Sequence, residues 1–194
     1  MQSQELLRYL KSLRELERFS ELERAYSLGL DPNLDPRDRK MTPVHLTASG
    51  FIFDQSADRV LLIDHKALKK WLQPGGHVDA DEVPWLAAQR EAFEETGFRV
   101  KPFENVGQKM NAELIPFDID LHPIPARPEK GEDPHHHLDF RYLLCANPEL
   151  ESTIQVEEIE NLSWFRFDKD DLPCSSRLKD TLLRARTHLK ESFL

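Results

Sequence analysis

The sequence predicts an α+β domain preceded by a helical extension. Segments with strand character alternate with turns between residues 44 and 65, and a helix with clear start and stop signals follows at 84–96. The order of the segments does not repeat a strand–helix–strand unit, which argues against a regular α/β fold. With 194 residues the chain has the size of one compact domain and an extension. We therefore expect an extension and linker over 1–40 and one domain over 41–194.

The extension contains two short amphipathic patterns. Leucines with helical spacing predict a first helix: Leu6, Leu10 and Leu13. Ser20 and Glu23 have the spacing of a capping box and predict the start of a second helix, which Gly29 would end. The apolar faces of both helices must be buried, so we expect the extension to pack on the domain or on a second copy of the chain. The second alternative would give a homodimer.

The domain itself is predicted to contain several strands and two helices. Strands are expected at 44–53, 60–64, 98–103, 106–122, 137–146 and 162–167. Pro84 and Gly97 bound the helix at 84–96, and an amphipathic helix is expected around 178–189.

Hydropathy and charge exclude several classes of protein. Hydrophobic residues make up 39% of the chain and charged residues 31%, which is compatible with a buried core. The longest aliphatic run, 60–63, is far shorter than the roughly 20 residues of a membrane span. The first 18 residues are too charged for a secretory signal. These features predict a cytoplasmic protein without a membrane segment.

The net charge of −9 is unevenly distributed. Residues 1–40 carry eight basic and eight acidic groups, so the whole excess of negative charge belongs to the domain. An acidic surface without a basic stripe repels polyanions, which argues against nucleic acid as a partner. Cations would have to mediate the binding of an anionic ligand. Cys145 and Cys174 are too few for a disulfide framework and are interpreted as reduced thiols.

The pattern with the clearest chemical meaning lies between residues 76 and 98. On a helix, Glu94 and Glu95 fall within about 100° of Glu91, so three carboxylates share one face. Like charges at this spacing destabilise a helix, and a Mg²⁺ or Mn²⁺ ion bound by carboxylate oxygens would offset the repulsion. A solvated acidic helix face would explain the same pattern without a metal.

The remaining faces of this helix are apolar. Leu86 and Phe93 fall nearly opposite the acidic residues. Small residues flank the acidic stripe: Ala87, Ala88 and Ala92. This arrangement predicts that the helix is pressed between two layers of core.

The segment 76–98 resembles the Nudix box, GX5EX7REUXEEXGU, in which U is a bulky apolar residue. Its seven fixed positions are all matched, by Gly76, Glu82, Arg90, Glu91, Glu94, Glu95 and Gly97. Phe98 fits one U position, whereas Ala92 is smaller than the other prefers. Further segments look like those of bacterial Nudix hydrolases with an N-terminal helical extension: 45–49, 71–77, 118–127 and 139–142.

The resemblance implies a Nudix fold, in which a mixed β-sheet is sandwiched between helices. It also implies metal-dependent hydrolysis of the phosphoanhydride bond of a nucleoside diphosphate linked to another moiety. The implied cofactor is Mg²⁺ or Mn²⁺, and the implied partner is a small anionic nucleotide-type substrate. The implied metal-binding residues are Gly76, Glu82, Glu91, Glu94 and Glu95. The implied catalytic residues are Arg90, which orients a glutamate in the family, and Glu91, Glu94 and Glu95.

Four further residues are candidates for substrate binding. Trp71 precedes the Gly-rich turn and is interpreted either as a base-stacking residue or as a core anchor. Glu158 resembles an acidic residue that many Nudix chains carry before their last strand, where it would act as base or extra ligand; a solvated loop is the alternative. Arg127 and Arg141 are candidate phosphate contacts, with surface salt bridges as the alternative.

A second metal site is predicted on two strands that alternate polar and apolar residues. If the strands pair as a hairpin, six metal-competent groups share one face: Asp118, Asp120, His122, His135, His137 and Asp139. Mixed histidine and aspartate ligands suit a transition-metal ion. A solvated sheet face with an incidental run of histidines is the alternative.

Two other functions are compatible with the Nudix fold. An isopentenyl-diphosphate-isomerase-like enzyme would need a cysteine acid, for which Cys145 is the candidate. A ligand-sensing regulator would carry a Nudix domain with a decayed box. The intact box favours hydrolysis over both.

Overall fold

The fold is described by a computed structural model that covers residues 1–16, 19–38, 43–103, 106, 109–110, 113–128, 131–150 and 158–193. Its helices are α1 (Ser3–Arg14), α2 (Ser20–Ser27), α3 (Pro84–Thr96) and α4 (Ser176–Ser192). Its strands are β1 (Val44–Phe53), β2 (Arg59–His65), β3 (Lys70–Leu72), β4 (Gly75–His77), β5 (Lys101–Pro102), β6 (Lys109–Met110), β7 (Glu113–Leu114), β8 (Asp118–Ile124), β9 (His135–Cys145) and β10 (Ile159–Arg166). None of the described helices combines the length and the apolar character needed to cross a membrane.

Eight of the described strands form one sheet in the order β10-β2-β1-β9-β5. β3 extends the sheet beside β2, β4 lies beside β1, and β8 lies beside β9. β2 runs antiparallel to β1, β3 and β10, and β9 runs antiparallel to β5 and β8. β6 and β7 pair with each other in a separate ribbon. This mixed sheet with helices confirms the predicted α+β class.

The chain divides into two compact units, the first formed by residues 1–48, 76–87 and 108–141. Within the first unit, α1 buries the predicted leucine stripe completely or almost so: Leu6, Leu10 and Leu13. The hydroxyl of Tyr9 donates a hydrogen bond to the carbonyl oxygen of Leu114, and α2 packs against β8. The N-terminal helices therefore belong to the same compact unit as the β8–β9 hairpin.

A buried ion pair in the first unit fixes the segment after α2. Arg37 donates to both carboxylate oxygens of Asp35 and, through Nη1, to the carbonyl oxygens of Met1 at 2.9 Å and Glu82 at 3.0 Å. The Arg37 side chain is 2% exposed. Partial burial opposes ionisation of Asp35, but hydrogen bonds from Arg37 and Ser3 outweigh it and lower the pKa of Asp35 to about 2.

The second unit contains residues 49–75, 88–107 and 142–194. Val60 to Ile63 of β2 are fully buried, and β10 pairs with β2 so that Trp164 lies opposite Leu61. α4 packs its predicted apolar stripe inward, with Leu182, Ala185 and Leu189 inaccessible to solvent. The aliphatic run noted in the sequence is thus the central strand of this core.

Several elements have the predicted bounds, and two predictions are wrong. β1 and α3 match 44–53 and 84–96. The strand expected over 106–122 is interrupted; the strand of the large sheet starts only at Asp118, after Pro116, whose ring nitrogen cannot donate to a ladder. The capping box at Ser20 is also wrong: Phe19 occupies the N-cap position, and Glu23 instead forms an ion pair with Arg14 at 2.5 Å.

The expectation that α3 is pressed between two layers of core is wrong as well. Leu86 is 40% exposed and Phe93 is 47% exposed. The face of α3 that packs inward carries the small residues, which are fully buried: Ala87, Ala88 and Ala92. Methyl groups allow this helix to lie close to its neighbours, so a wide apolar stripe is not needed.

Candidate active site

The candidate active site of the second unit is built on the last two turns of α3. Pro84 starts this helix with a fixed φ, and Gly97 ends it at a φ of 72°, where a residue with a Cβ would be strained. The amide of Gly97 donates to the carbonyl oxygen of Phe93 at 2.8 Å. These local signals hold Glu91, Glu94 and Glu95 in regular helix, on one face.

Glu95 is the most buried of the three glutamates, with 6% of its surface exposed. The backbone amide of Gly75 donates to its Oε2 atom at 2.9 Å, which ties the helix to the Gly-rich turn. Burial raises the pKa of Glu95, against the effect of this hydrogen bond, and the negative charges of Glu91, Glu158 and Glu94 add to the increase. The resulting pKa is about 8.

Arg90 donates hydrogen bonds to both of the other glutamates. Its Nη1 atom donates to Oε1 of Glu91 at 2.8 Å and to Oε2 of Glu94 at 3.0 Å. The exposed fractions of the two carboxylate side chains are 16% and 43%. One guanidinium thus fixes two acidic groups on the same face of the helix.

The donor set fits a hard divalent cation. Glu91, Glu94, Glu95 and Glu158 are close enough for their charges to interact, whereas Arg90 supplies one positive charge. Ionising a buried carboxylate beside like charges is unfavourable, as the raised pKa of Glu95 shows. Oxygen ligands and an excess of negative charge are what Mg²⁺ and Mn²⁺ prefer.

Two candidate substrate-binding residues also lie in the second unit. Glu158 is exposed just before β10, and its backbone carbonyl accepts a hydrogen bond from the amide of Lys66 at 3.0 Å. Its charge contributes to the raised pKa of Glu95. Trp71 is half-buried in β3 and packs edge-on against Phe165, with 5.2 Å between the ring centroids.

Two residues of the box lie in the first unit. Gly76 is the middle residue of β4. Glu82 lies in the turn before α3, where its Oε2 atom accepts a hydrogen bond from the amide of Asp79 at 3.2 Å. The carbonyl of Glu82 also accepts the hydrogen bond from Arg37 described above. The Glu82 side chain therefore contributes to the turn that leads into the helix.

The predicted hairpin is confirmed and consists of β8 and β9. Asp118 lies opposite Arg141, Asp120 opposite Asp139, and His122 opposite His137. Opposed residues in an antiparallel pair share a face, so the predicted polar groups lie on one side of the hairpin. Near its loop, Arg127 pairs through its backbone with Glu132 and lies 3.9 Å from the Glu132 carboxylate.

Arg141 occupies the aspartate end of this face. Its three guanidinium nitrogens contact Asp118 at 3.2 Å, Asp120 at 2.9 Å and Asp139 at 3.1 Å. Burial disfavours the charged guanidinium, but the three carboxylates outweigh that effect and raise the pKa of Arg141. The predicted aspartate ligands are therefore engaged by an arginine inside the first unit.

The histidine end of the face meets two histidines that the sequence analysis did not single out. His45 on β1 and His77 on β4 place their Nε2 atoms 3.1 Å apart. The ring of His137 lies 4.6 Å from that of His45 and 5.1 Å from that of His77. Burial and the neighbouring imidazoles lower the pKa of His137 to about 2, so its ring is neutral. The only signal in the sequence was the segment-level resemblance around residues 45 and 77.

Comparisons with known proteins agree with this fold. Residues 43–180 match the model of the NUDIX domain. A protein of Lactococcus lactis subsp. cremoris (strain MG1363), named a probable DHNTP pyrophosphohydrolase, is 31% identical over 171 residues, which are 88% of this chain and 92% of the relative.

Solved structures are similar as well. A NUDIX-family hydrolase from Clostridium perfringens is 25% identical with a TM-score of 0.56, covering 76% of this chain and 97% of that one. The Ap4A hydrolase of C. elegans is 18% identical with a TM-score of 0.54, covering 75% of this chain and 98% of that one. At 18% identity, the similarity to the C. elegans structure is evidence for the fold alone.

Proposed function

Because the chain belongs to the NUDIX family, we propose that it hydrolyses the phosphoanhydride bond of a nucleotide-type substrate with divalent cations bound at α3. Nudix hydrolases act on pyrophosphate bonds, and this chain is a hydrolase of that type. The observation that carries the proposal is the carboxylate cluster of Glu91, Glu94 and Glu95, braced by Arg90 and by the amide of Gly75. The preferred ion in this proposal is Mg²⁺ or Mn²⁺.

The three glutamates would hold the cations. Bound cations would neutralise the phosphate oxygens and lower the pKa of the attacking water. Arg90 has the role of a positioning residue, since its Nη1 atom reaches Glu91 and Glu94 at hydrogen-bond distance. The Gly75 amide does the same for Glu95. In this assignment the protein fixes the ligands before substrate arrives, which lowers the reorganisation needed for catalysis.

Glu158 has a place in the same proposal. Its charge raises the pKa of Glu95. Its backbone carbonyl, just before β10, accepts a hydrogen bond from the amide of Lys66. An exposed carboxylate beside the cluster is suited to accept a proton from water or to act as an extra ligand. Trp71 and Arg127 remain proposals for contacts to the base and to phosphate, and Glu82 remains a proposal for an outer metal contact.

The most informative substrate to test first is dihydroneopterin triphosphate. The Lactococcus relative is named for a pyrophosphohydrolase of that compound, at 31% identity and with most of both chains aligned. A pterin triphosphate presents the same chain of phosphoanhydride bonds as a nucleoside triphosphate. We therefore propose a triphosphate or diphosphate derivative of a nucleoside or pterin as the substrate class.

The isomerase alternative has weaker support. Cys145 is buried, and its Sγ atom lies 3.4 Å from the Oε1 atom of Gln55. Burial also raises the pKa of the Cys145 thiol. A buried thiol held by a glutamine is suited to packing, whereas an acid that protonates a carbon must reach the substrate.

The experiment that tests the proposed function is a substrate panel assayed with Mg²⁺ and with Mn²⁺. It contains dihydroneopterin triphosphate, ADP-ribose, sugar nucleotides, dinucleoside polyphosphates and nucleoside triphosphates. Product analysis distinguishes pyrophosphate from phosphate release. We expect metal-dependent cleavage of at least one compound that is lost with EDTA and preserved in the exposed-site control Glu149→Gln. Cleavage of none of them, or cleavage that survives EDTA, would contradict the proposal.

A further inference from the structure

The proposed function assigns no role to the histidine cluster of the first unit, which is defined by His45, His77 and His137. These three residues come from three different strands, β1, β4 and β9, and far-apart positions in the sequence. Each ring contributes one nitrogen to the cluster, and these three nitrogens all lie within 4.8 Å of one another. His45 is 2% exposed, and the other two are half-buried.

The geometry points to a transition-metal site in which His45, His77 and His137 are the ligands. The ion that it would bind is Zn²⁺ or a similar transition-metal ion. In a tetrahedral zinc site the metal–nitrogen bonds measure about 2.0–2.1 Å, which sets the nitrogens about 3.4 Å apart. The 3.1 Å separation between the Nε2 atoms of His45 and His77 and the 4.8 Å upper limit for the trio bracket this value.

The chemistry of the ligands selects the class of ion. Imidazole nitrogens suit Zn²⁺, Cu²⁺, Ni²⁺ and Fe²⁺, whereas Mg²⁺ and Mn²⁺ prefer the oxygen ligands found at α3. Three histidines leave the fourth position of a tetrahedral ion open to water or to another ligand. This set differs from the hairpin set predicted from the sequence, because two of its members lie outside the hairpin.

Neighbouring residues hold the rings of the trio in place. His135 stacks on His45 with 4.6 Å between the ring centroids, and its Nδ1 atom bonds to the carbonyl oxygen of Asp133 at 2.7 Å. Because a carbonyl only accepts, that Nδ1 atom carries the proton and the ring orientation of His135 is fixed. The ring of His45, on which the fixed ring of His135 stacks, is thereby restricted in its orientation.

The charge around the trio also favours a cation. Asp139 lies two residues from His137 on the same face of β9, and it shares Arg141 with Asp118 and Asp120. The three carboxylates and the guanidinium of this group sum to a net charge of −2, on the face of the hairpin that also carries His137. This charge attracts a divalent cation.

The first test is metal binding by the full chain, prepared without a histidine tag and stripped with EDTA. Titration calorimetry with Zn²⁺, and the visible absorption of the protein titrated with Co²⁺, report stoichiometry and coordination. We expect one tightly bound ion per chain and the intense absorption of four-coordinate Co²⁺. A chain that binds no ion under these conditions would contain only a hydrogen-bonded imidazole cluster, and the inference would be overturned.

Histidine variants locate the ion. His45→Ala, His77→Ala and His137→Ala should each weaken Zn²⁺ binding by at least about tenfold. His136→Ala is the matched control, because His136 lies on the same strand as His137 but on its opposite face. Equal losses in the control, or wild-type binding in all three variants, would contradict the assignment.

Two further measurements keep this test separate from the acidic cluster and from folding defects. The double variant Glu94→Gln/Glu95→Gln should bind Zn²⁺ at the histidine site with unchanged affinity, whether or not the proposed hydrolase activity is found. X-ray absorption of the wild-type zinc complex needs no variant and should show imidazole scattering from three histidines. A coordination shell made of oxygens alone would place the ion elsewhere and overturn the inference.

Discussion

At the scale of single residues, the structure assigns charged side chains to specific partners. Arg90 reaches two glutamates of the acidic face, and Gly75 binds the third through its amide. Arg141 meets three aspartates, and Arg37 meets Asp35. Arg141 and Arg37 are buried, so each compensates carboxylates in a poorly solvated place, where an unpaired charge would be costly.

Replacing Arg90 should impair the proposed metal centre without removing a ligand. We expect Arg90→Ala to lower turnover or metal affinity by about 10- to 100-fold, the effect usual for residues that orient metal ligands. The measurement is the rate as a function of Mg²⁺ concentration. The concentration needed for half-maximal rate should rise, and Arg90→Lys should restore part of the loss. An unchanged Mg²⁺ dependence would show that Arg90 does not position the glutamates.

Asp35 should make the stability of the chain depend on acidic pH. Its pKa is lowered from 3.8 to about 2 in the folded state, so its contribution is present above about pH 4 and is lost as the pH falls through about 2. The shift corresponds to at most about 2 kcal/mol, because solvent screens part of the interaction of this carboxylate, whose side chain is 27% exposed. In urea at pH 7, Asp35→Asn should therefore be less stable than wild type by up to this amount, and the difference should be small at pH 2.

The exposed residue Asp133 supplies the control for this measurement. Asp133→Asn should match wild type at both pH values. A constant difference between Asp35→Asn and wild type at pH 7 and pH 2 would mean that the carboxylate of Asp35 stabilises the fold by something other than its charge.

At the scale of elements, local patterns predicted α3, β1 and the β8–β9 hairpin, whereas contacts between strands far apart in the sequence were not predicted. Pro84 and Gly97 act on the backbone within a few residues, so the bounds of α3 follow from the sequence alone. The capping box at Ser20 failed because Arg14 of the preceding helix competes for Glu23. His45 and His77 were missed because β1 and β4 become neighbours only in the folded sheet.

The same distinction holds for the acidic cluster. The shared face of Glu91, Glu94 and Glu95 follows from the helical repeat. The amide of Gly75, 20 residues from Glu95, could not be predicted because the path of the intervening turn is not encoded in a simple period. The exposure of Leu86 and Phe93 also depends on which neighbours the helix meets.

The buried stripe of α1 should contribute strongly to stability. Leu10 is 1% exposed, and replacing such a residue with alanine typically costs about 2–5 kcal/mol because a cavity remains. We expect Leu10→Ala to lower the free energy of unfolding by an amount in this range, measured in urea. Leu16→Ala is the matched control, since Leu16 is 37% exposed. Similar small effects in both variants would show that α1 adds little to the first unit.

At the scale of the whole molecule, the acidic groups that outnumber the basic ones in residues 41–194 include two clusters of carboxylates. One cluster lies on α3 and the other on the β8–β9 hairpin. The net charge of −9 opposes the approach of an anionic phosphate substrate. Cations bound by the acidic cluster would reverse this effect locally, so the proposed metal dependence and the proposed substrate class would both follow from one charge distribution. The histidine trio adds softer nitrogen ligands in the first unit, which would separate two classes of ion within one chain.

The most direct test of the account is the turnover of Glu94→Gln and Glu95→Gln on a substrate that the wild-type chain cleaves with Mg²⁺. Each change removes one ligand charge and almost no volume. We predict that each variant loses at least about a hundredfold in kcat, while its melting temperature stays close to that of the wild type. Wild-type turnover in both variants would show that the acidic face of α3 is not the metal centre.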